Sequence, residues 1–202
     1  MDPQTVSTAL EHLSASDKKM HRIIERIGPC TLQVDPNHFW MLARAILAQQ
    51  ISSAAARTIT QRVREAMKEK LTAKSLSQLD EETLRSAGVS KQKVSYLKSL
   101  TEKVLSGEVA LNRIASLSNE EITAQLIQIK GIGVWTADMF MIFSLGRTNI
   151  FPIGDAGVRA GMRMIYRIEE DAPHEKYHKV AKKWQPYASI ASWYCWRVLE
   201  EK

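Results

Sequence analysis

Residues 126–159 read LIQIKGIGVWTADMFMIFSLGRTNIFPIGDAGVR, and the reading of the whole chain follows from how this stretch is parsed. Just upstream, Ser118 with Glu121 three residues later makes a capping box, and Ile122, Leu126 and Ile129 then recur at helical spacing. A helix is expected from about Asn119 towards Lys130. Lys130-Gly131-Ile132-Gly133 breaks it. Two glycines one residue apart permit positive φ and leave the main chain bare, so backbone N–H groups can approach an anion closely. A second helix is expected over Val134 to Leu145, with Gly146 closing it in the C′ role. The amides of the turn then sit at a helix N-terminus, where partial positive charge favours phosphate. The end of the stretch delivers one carboxylate, Asp155, to a Gly-flanked turn. On these residues alone, the alternatives are that GxG between two apolar helices is nothing more than a tight αα-turn, and that an Asp ahead of a helix is its N-cap.

Composition bounds what surrounds this centre. A chain of 202 residues is one ordinary domain or two small lobes, and 45% hydrophobic residues suffice for a sizeable core. The formal net charge of +6 favours a polyanionic partner only slightly. No run of eighteen apolar residues occurs, and Asp2, Glu11 and Asp17 depart from the basic-then-apolar layout of a signal peptide, so a cytoplasmic protein, or a nuclear one in a eukaryote, with no membrane partner is expected. The two cysteines, Cys30 and Cys195, are expected as reduced thiols. Two cysteines cannot supply the four ligands of an iron–sulfur cluster.

Helical periodicity continues almost throughout, and the six prolines fall at starts or ends of helical patterns, as an all-α protein requires. Helices are expected over residues 4–14, 17–27, Asp35 to Gln49, from Ser52 or Ser53 to about Lys70, Asp80 to Ala87, Lys91 to Ser106, about Gly157 to Tyr166, His174 to Trp184 and Ala188 to Glu200. Arg159, Arg163 and Arg167, at four-residue steps, make one basic stripe, which is either a solvated face or a phosphate-backbone contact.

The run Ile129-Lys130-Gly131-Ile132-Gly133-Val134-Trp135-Thr136-Ala137 resembles the helix-hairpin-helix (HhH-GPD) superfamily of DNA glycosylases. Phe151-Pro152-Ile153-Gly154-Asp155-Ala156-Gly157-Val158-Arg159 is similar to the loop that carries that family's essential aspartate. Two further blocks support the resemblance. Ala48-Gln49-Gln50-Ile51-Ser52 is similar to the family's turn facing the DNA minor groove, and Trp184 to Trp196 is similar to its C-terminal signature, with Ala188 where an arginine is common.

The resemblance implies two helical lobes, 36–148 and 1–35 plus 149–202, with an active-site cleft between them. It implies Asp155 as the catalytic group, Trp135, Met139 and Trp196 as the base pocket, and Lys130, Gly131, Gly133 and Thr136 as a phosphate grip. Gln49, Gln50, Ile51 and Lys91 compete for the place of the side chain that fills the space left by an extruded base, and Arg159 joins the DNA-binding set. Branches that also cut the strand carry a lysine two positions after the second glycine; Trp135 stands there instead. The 3-methyladenine glycosylase II branch is the one indicated: a monofunctional enzyme that flips out and hydrolyses alkylated purines from double-stranded DNA, acts as a monomer, and needs no cofactor or catalytic metal. A structural monovalent cation at the hairpin is a further feature of some relatives. The rivals are a glycosylase for mismatched or deaminated bases, a non-catalytic binder of distorted DNA, and an unrelated helical interaction protein.

Overall fold

The computed structural model describes residues 1–201, and every regular element among them is helical. The order is α1 (Pro3–Ser16), α2 (Lys18–Ile27), α3 (His38–Ala48), α4 (Ser53–Ala66), α5 (Ala73–Ser77), α6 (Glu81–Ser86), α7 (Lys91–Leu105), α8 (Asn119–Leu126), α9 (Val134–Phe143), α10 (Ala156–Tyr166), α11 (His174–Ala181) and α12 (Ala188–Glu200). Short 3₁₀ turns follow at Ile114–Ser116 and Lys182–Trp184. None of these helices is long and apolar enough to cross a membrane.

Polar residues start most of them. Asp2, Asp17, Asn37, Ser52, Thr72, Asp80, Ser90, Ser118 and Asp155 each accept a hydrogen bond from an amide in the first turn that follows. The expected capping box at α8 is formed in both directions, Ser118 to Glu121 N and Glu121 to Ser118 N. Two expectations need correction. α4 stops at Ala66 rather than near Lys70, because Lys68 and Glu69 both take left-handed φ of 51° and 58°. Residues 73–77 form α5, with a second capping box between Thr72 and Ser75; one turn and a half is too short for periodicity to reveal.

The chain divides into two compact units. One, Asp35–Phe140, holds α3 to α8 and most of α9 around Leu42, Ile46, Leu47, Leu97, Leu100, Ile122 and Leu126. The other comprises Met1–Val34 and the chain from Met141 onward. In this second unit α10 lies against α12 with no room for a side chain at Gly161, where a Cβ would stand 2.1 Å from the Cys195 carbonyl oxygen. Asp17 caps α2 and accepts the Tyr166 hydroxyl at 3.0 Å, and that hydroxyl in turn accepts the Trp184 Nε1–H at 3.1 Å, so the buried Asp17 and Trp184 polar groups are satisfied through the half-buried Tyr166.

The second crossing between units falls inside α9, after Phe140, rather than at residue 148. The last turn of α9 belongs by its contacts to the second unit: the Met141 carbonyl accepts the Arg147 amide at 2.9 Å, and the Phe143 ring lies 5.6 Å from that of Trp196. Ser189 secures the segment that follows. Its hydroxyl accepts Ile150 N at 2.9 Å and donates to Arg147 O at 2.6 Å, while its amide donates to Thr148 O.

Candidate functional site

The hairpin is built by exclusion of side chains. Gly131 has a φ of 81°, and a Cβ there would stand 2.2 Å from the Tyr96 ring, so both backbone geometry and packing demand glycine. The Gly131 carbonyl accepts Gln49 Nε2–H at 2.8 Å, and the Lys130 amide donates to Ser99 Oγ at 3.2 Å. Lys93 donates to the Leu47 carbonyl at 2.8 Å, placing a cation on the last turn of α3, and its partial burial pulls its pKa below the ordinary lysine value. Gly133 is different: nothing lies within 4 Å of where its Cβ would be. Its carbonyl accepts the Ala137 amide, the first bond into α9. The surface there is Lys130, Gly131, Gly133, Val134 and Trp135, all exposed, with Val134 at 58% and Trp135 at 47%.

The other expected DNA contacts separate into presented and committed groups. Gln50 stands at the tip of its turn with a left-handed φ of 54°, and Ile51 beside it is exposed. Lys91, the first residue of α7 after the Ser90 cap, is also exposed. Gln49 is half-buried and spends its amide on Gly131, so it braces the hairpin rather than standing out from it. Thr136 is buried, which removes its hydroxyl from the exposed row of the turn. Arg159 is half-buried and donates to the Ile153 carbonyl at 2.6 Å. The stripe it was expected to begin is therefore not uniform: Arg159 holds the aspartate loop, Arg163 is half-buried, and Arg167 is an exposed left-handed C-cap.

Asp155 is 8% exposed. Its Oδ1 accepts the Val158 amide at 2.7 Å and the Trp196 indole N–H at 2.9 Å. The first bond makes Asp155 the N-cap of α10, and the second reaches across to α12. Gly157 makes the approach feasible, since a Cβ there would sit 2.9 Å from Trp196 Cδ1 and 3.1 Å from Asp155 Oδ1. Trp196 therefore orients the carboxylate through its N–H, a role its expected place in a base pocket had not included. Cys195, next in sequence, is fully buried; burial first, and the Asp155 charge second, push its thiol well above the ordinary range, so it supplies no thiolate. Cys30 is likewise pushed up by burial, to about 11.

Trp135 and Met139 lie on the Asp35–Phe140 unit, Met139 buried and Trp135 open. Sequence reading passed over Asp138 between them, although it is the one charged residue in the ten of α9. Burial pushes its carboxyl up to about 6.

A profile of the HhH-GPD superfamily of base excision DNA repair proteins matches residues 43–186, a span holding both the hairpin and the Asp155 turn. The chain belongs to that superfamily. Among its relatives are two proteins of Schizosaccharomyces pombe. The alkylbase DNA glycosidase-like protein mag2 is 32% identical, over 94% of this chain and 92% of that protein. DNA-3-methyladenine glycosylase 1 is 33% identical, over 92% of this chain and 84% of that protein. Among solved structures, the DNA-3-methyladenine glycosidase of Bacillus halodurans superposes with a TM-score of 0.87 at 33% identity, covering 96% of this chain and 91% of the other. The S. pombe 3-methyladenine DNA glycosylase Mag1, in complex with abasic DNA, gives 0.84 at 32% identity and 96% and 97% coverage.

Proposed function

We propose that this HhH-GPD protein is a monofunctional DNA glycosylase that extrudes an alkylated purine of the 3-methyladenine or 7-methylguanine type and hydrolyses its N-glycosidic bond. One observation carries the reading: a buried carboxylate, Asp155, held on one oxygen by a backbone amide and an indole N–H, in a chain whose hairpin leaves bare backbone exposed at the start of a helix.

Chemistry on a stacked base requires its extrusion, which costs a few kcal/mol and least for damaged bases. The Gly131-Ile132-Gly133 amides and Lys130 grip phosphate without reading sequence, and Gln50, Ile51 or Lys91 fills the space the base vacates. Breaking the glycosidic bond places oxocarbenium character on the sugar. A fixed carboxylate stabilises that charge and orients and deprotonates the attacking water. Anchoring Asp155 through Oδ1 preorganises it for this work. The Trp135 indole, exposed, offers a stacking face suited to a base made cationic by alkylation, with Met139 behind it. Trp135 has no amine to form a Schiff base, so the product is an abasic site in an intact strand.

The protein works on double-stranded DNA as a monomer, in the cytoplasm or, in a eukaryote, in the nucleus, and no cofactor takes part in the steps above. A monovalent cation at the hairpin fits as a structural group only: the Gly131 carbonyl has a second lone pair beyond the one Gln49 uses. The test is release of free base and of strand breaks from methylated duplex DNA, without alkali, by wild type and Asp155→Asn. Methylated purine freed by wild type alone, with strands intact, is expected. Retained DNA binding with no base release overturns the catalytic assignment for this substrate class.

A further inference from the structure

α9 is apolar and covered on nearly every side. Thr136, Ala137, Met139, Phe140, Met141 and Ile142 are buried, and only Val134, Trp135 and Asp138 among residues 134–142 are not. Positions 134, 135 and 138 share one face of a helix, so the Asp138 carboxylate stands one turn along from the Trp135 indole on the same open strip. Among the described residues no hydrogen bond or ion pair occupies that carboxylate. Half-burial without a partner disfavours its charged form, which is why its pKa is raised, and aspartate is also a poor helix former. A carboxylate kept at such a cost beside an exposed indole is placed for a ligand that is flat, cationic and a hydrogen-bond donor.

We propose that Asp138 is a base-selecting residue that, with Trp135, takes a cationic N-alkylated purine in preference to a neutral base. The inference rests on the glycosylase reading and names how the substrate class is chosen. The indole face takes the ring, and the carboxylate accepts from an exocyclic amino or ring N–H group while balancing the ring's positive charge. The balance of the reaction then dictates a kinetic signature. As the glycosidic bond breaks, its electron pair moves to the purine nitrogen and cancels the ring's charge, and the attacking water gives its proton to the Asp155 side. The attraction to Asp138 is therefore strongest in the bound ground state and fades towards the transition state. Such an interaction lowers KM without raising kcat.

The experiment compares wild type, Asp138→Asn and Asp138→Glu. It measures kcat and KM on a duplex holding 7-methylguanine, and affinity for the same duplex with an abasic site, which has no base to select. The expected result for Asp138→Asn is a KM raised roughly 10- to 100-fold, the scale of a hydrogen bond to a charged group. Its kcat is unchanged or higher, its abasic-duplex affinity is that of wild type, and KM is largely restored in Asp138→Glu. Asparagine matches aspartate in shape and carries no charge to desolvate, so its melting temperature serves as the folding control and is expected not to fall. The inference is overturned if KM does not change, if kcat falls in its place, or if both duplexes lose affinity equally. If wild type itself frees no methylated base, the glycosylase reading fails first, and that result is separate.

Discussion

The chain has two glycine-flanked turns that each open a helix, and they work in opposite ways. At Gly131-Ile132-Gly133 the packing of Tyr96 and the Gln49 clasp strip side chains away and leave exposed backbone. At Gly154-Asp155-Ala156-Gly157 the flanking residues Gly154 and Ala156 are exposed, and one side chain, that of Asp155, is buried and held by donors that include Val158 N and the Trp196 indole. A phosphate chain is long and repetitive, so a grip spread over several amides tolerates the loss of any one. A single reacting carbon needs one group in one place. The difference predicts that substitutions at the aspartate turn cut rate, whereas those at the hairpin cut stability and DNA affinity.

The largest effect is expected at Asp155. Asp155→Asn keeps the cap of α10, since asparagine caps as well, yet lowers kcat roughly 10²- to 10⁴-fold in single-turnover base release. Asp155→Ala falls to the same rate and in addition loses about 1 kcal/mol of stability with the cap, readable in a denaturation midpoint. Equal stability of the two variants breaks the assignment of Asp155 to both tasks.

Gly131→Ala comes next, and on the other axis. It forces a Cβ into the Tyr96 ring at a left-handed φ, for a loss of about 3 kcal/mol in denaturant unfolding, with kcat per folded molecule preserved. A drop in kcat with normal stability would erase the contrast between the turns. Trp196→Phe removes one donor from the buried carboxylate and should lower kcat roughly 10- to 100-fold. Combined with Asp155→Asn it should cost nothing more, because both act through the same oxygen. The smallest effect is that of Gln49→Ala: about 1 kcal/mol from the lost clasp, seen as weaker binding of an abasic duplex across a salt series while kcat holds.

What could be read from sequence divides along the same line as these effects. The hairpin is local. Ser118, Glu121, Gly131 and Gly146 act within a few residues of themselves, and their caps and positive φ values could be anticipated from neighbours. The aspartate turn was legible only as a pair of rival roles, capping or catalysis. The structure shows the cap bond made, with the same oxygen also accepting Trp196 Nε1. The Trp196 contact spans 41 residues, and no local pattern announces it. The clasp between Gln49 and Gly131 spans 82, which is why Gln49 reads from sequence as a DNA-facing group and not as a brace. Asp138 left a signal, a lone charge in an apolar helix, but its half-burial and lack of a partner became visible only once the helix was packed.

The Gln49 clasp makes the turn after α3 and the hairpin before α9 a single mechanical part, a caliper whose jaws are the Gln50-Ile51 tip and the Gly131-Gly133 amides. A caliper measures. On the phosphate grip proposed above, amides closing on a phosphate would bring the tip to a preset distance along the strand, so that the displaced nucleotide would be chosen by spacing rather than by its letter. The ordering entropy of that setting is spent when the protein folds, not each time it meets DNA.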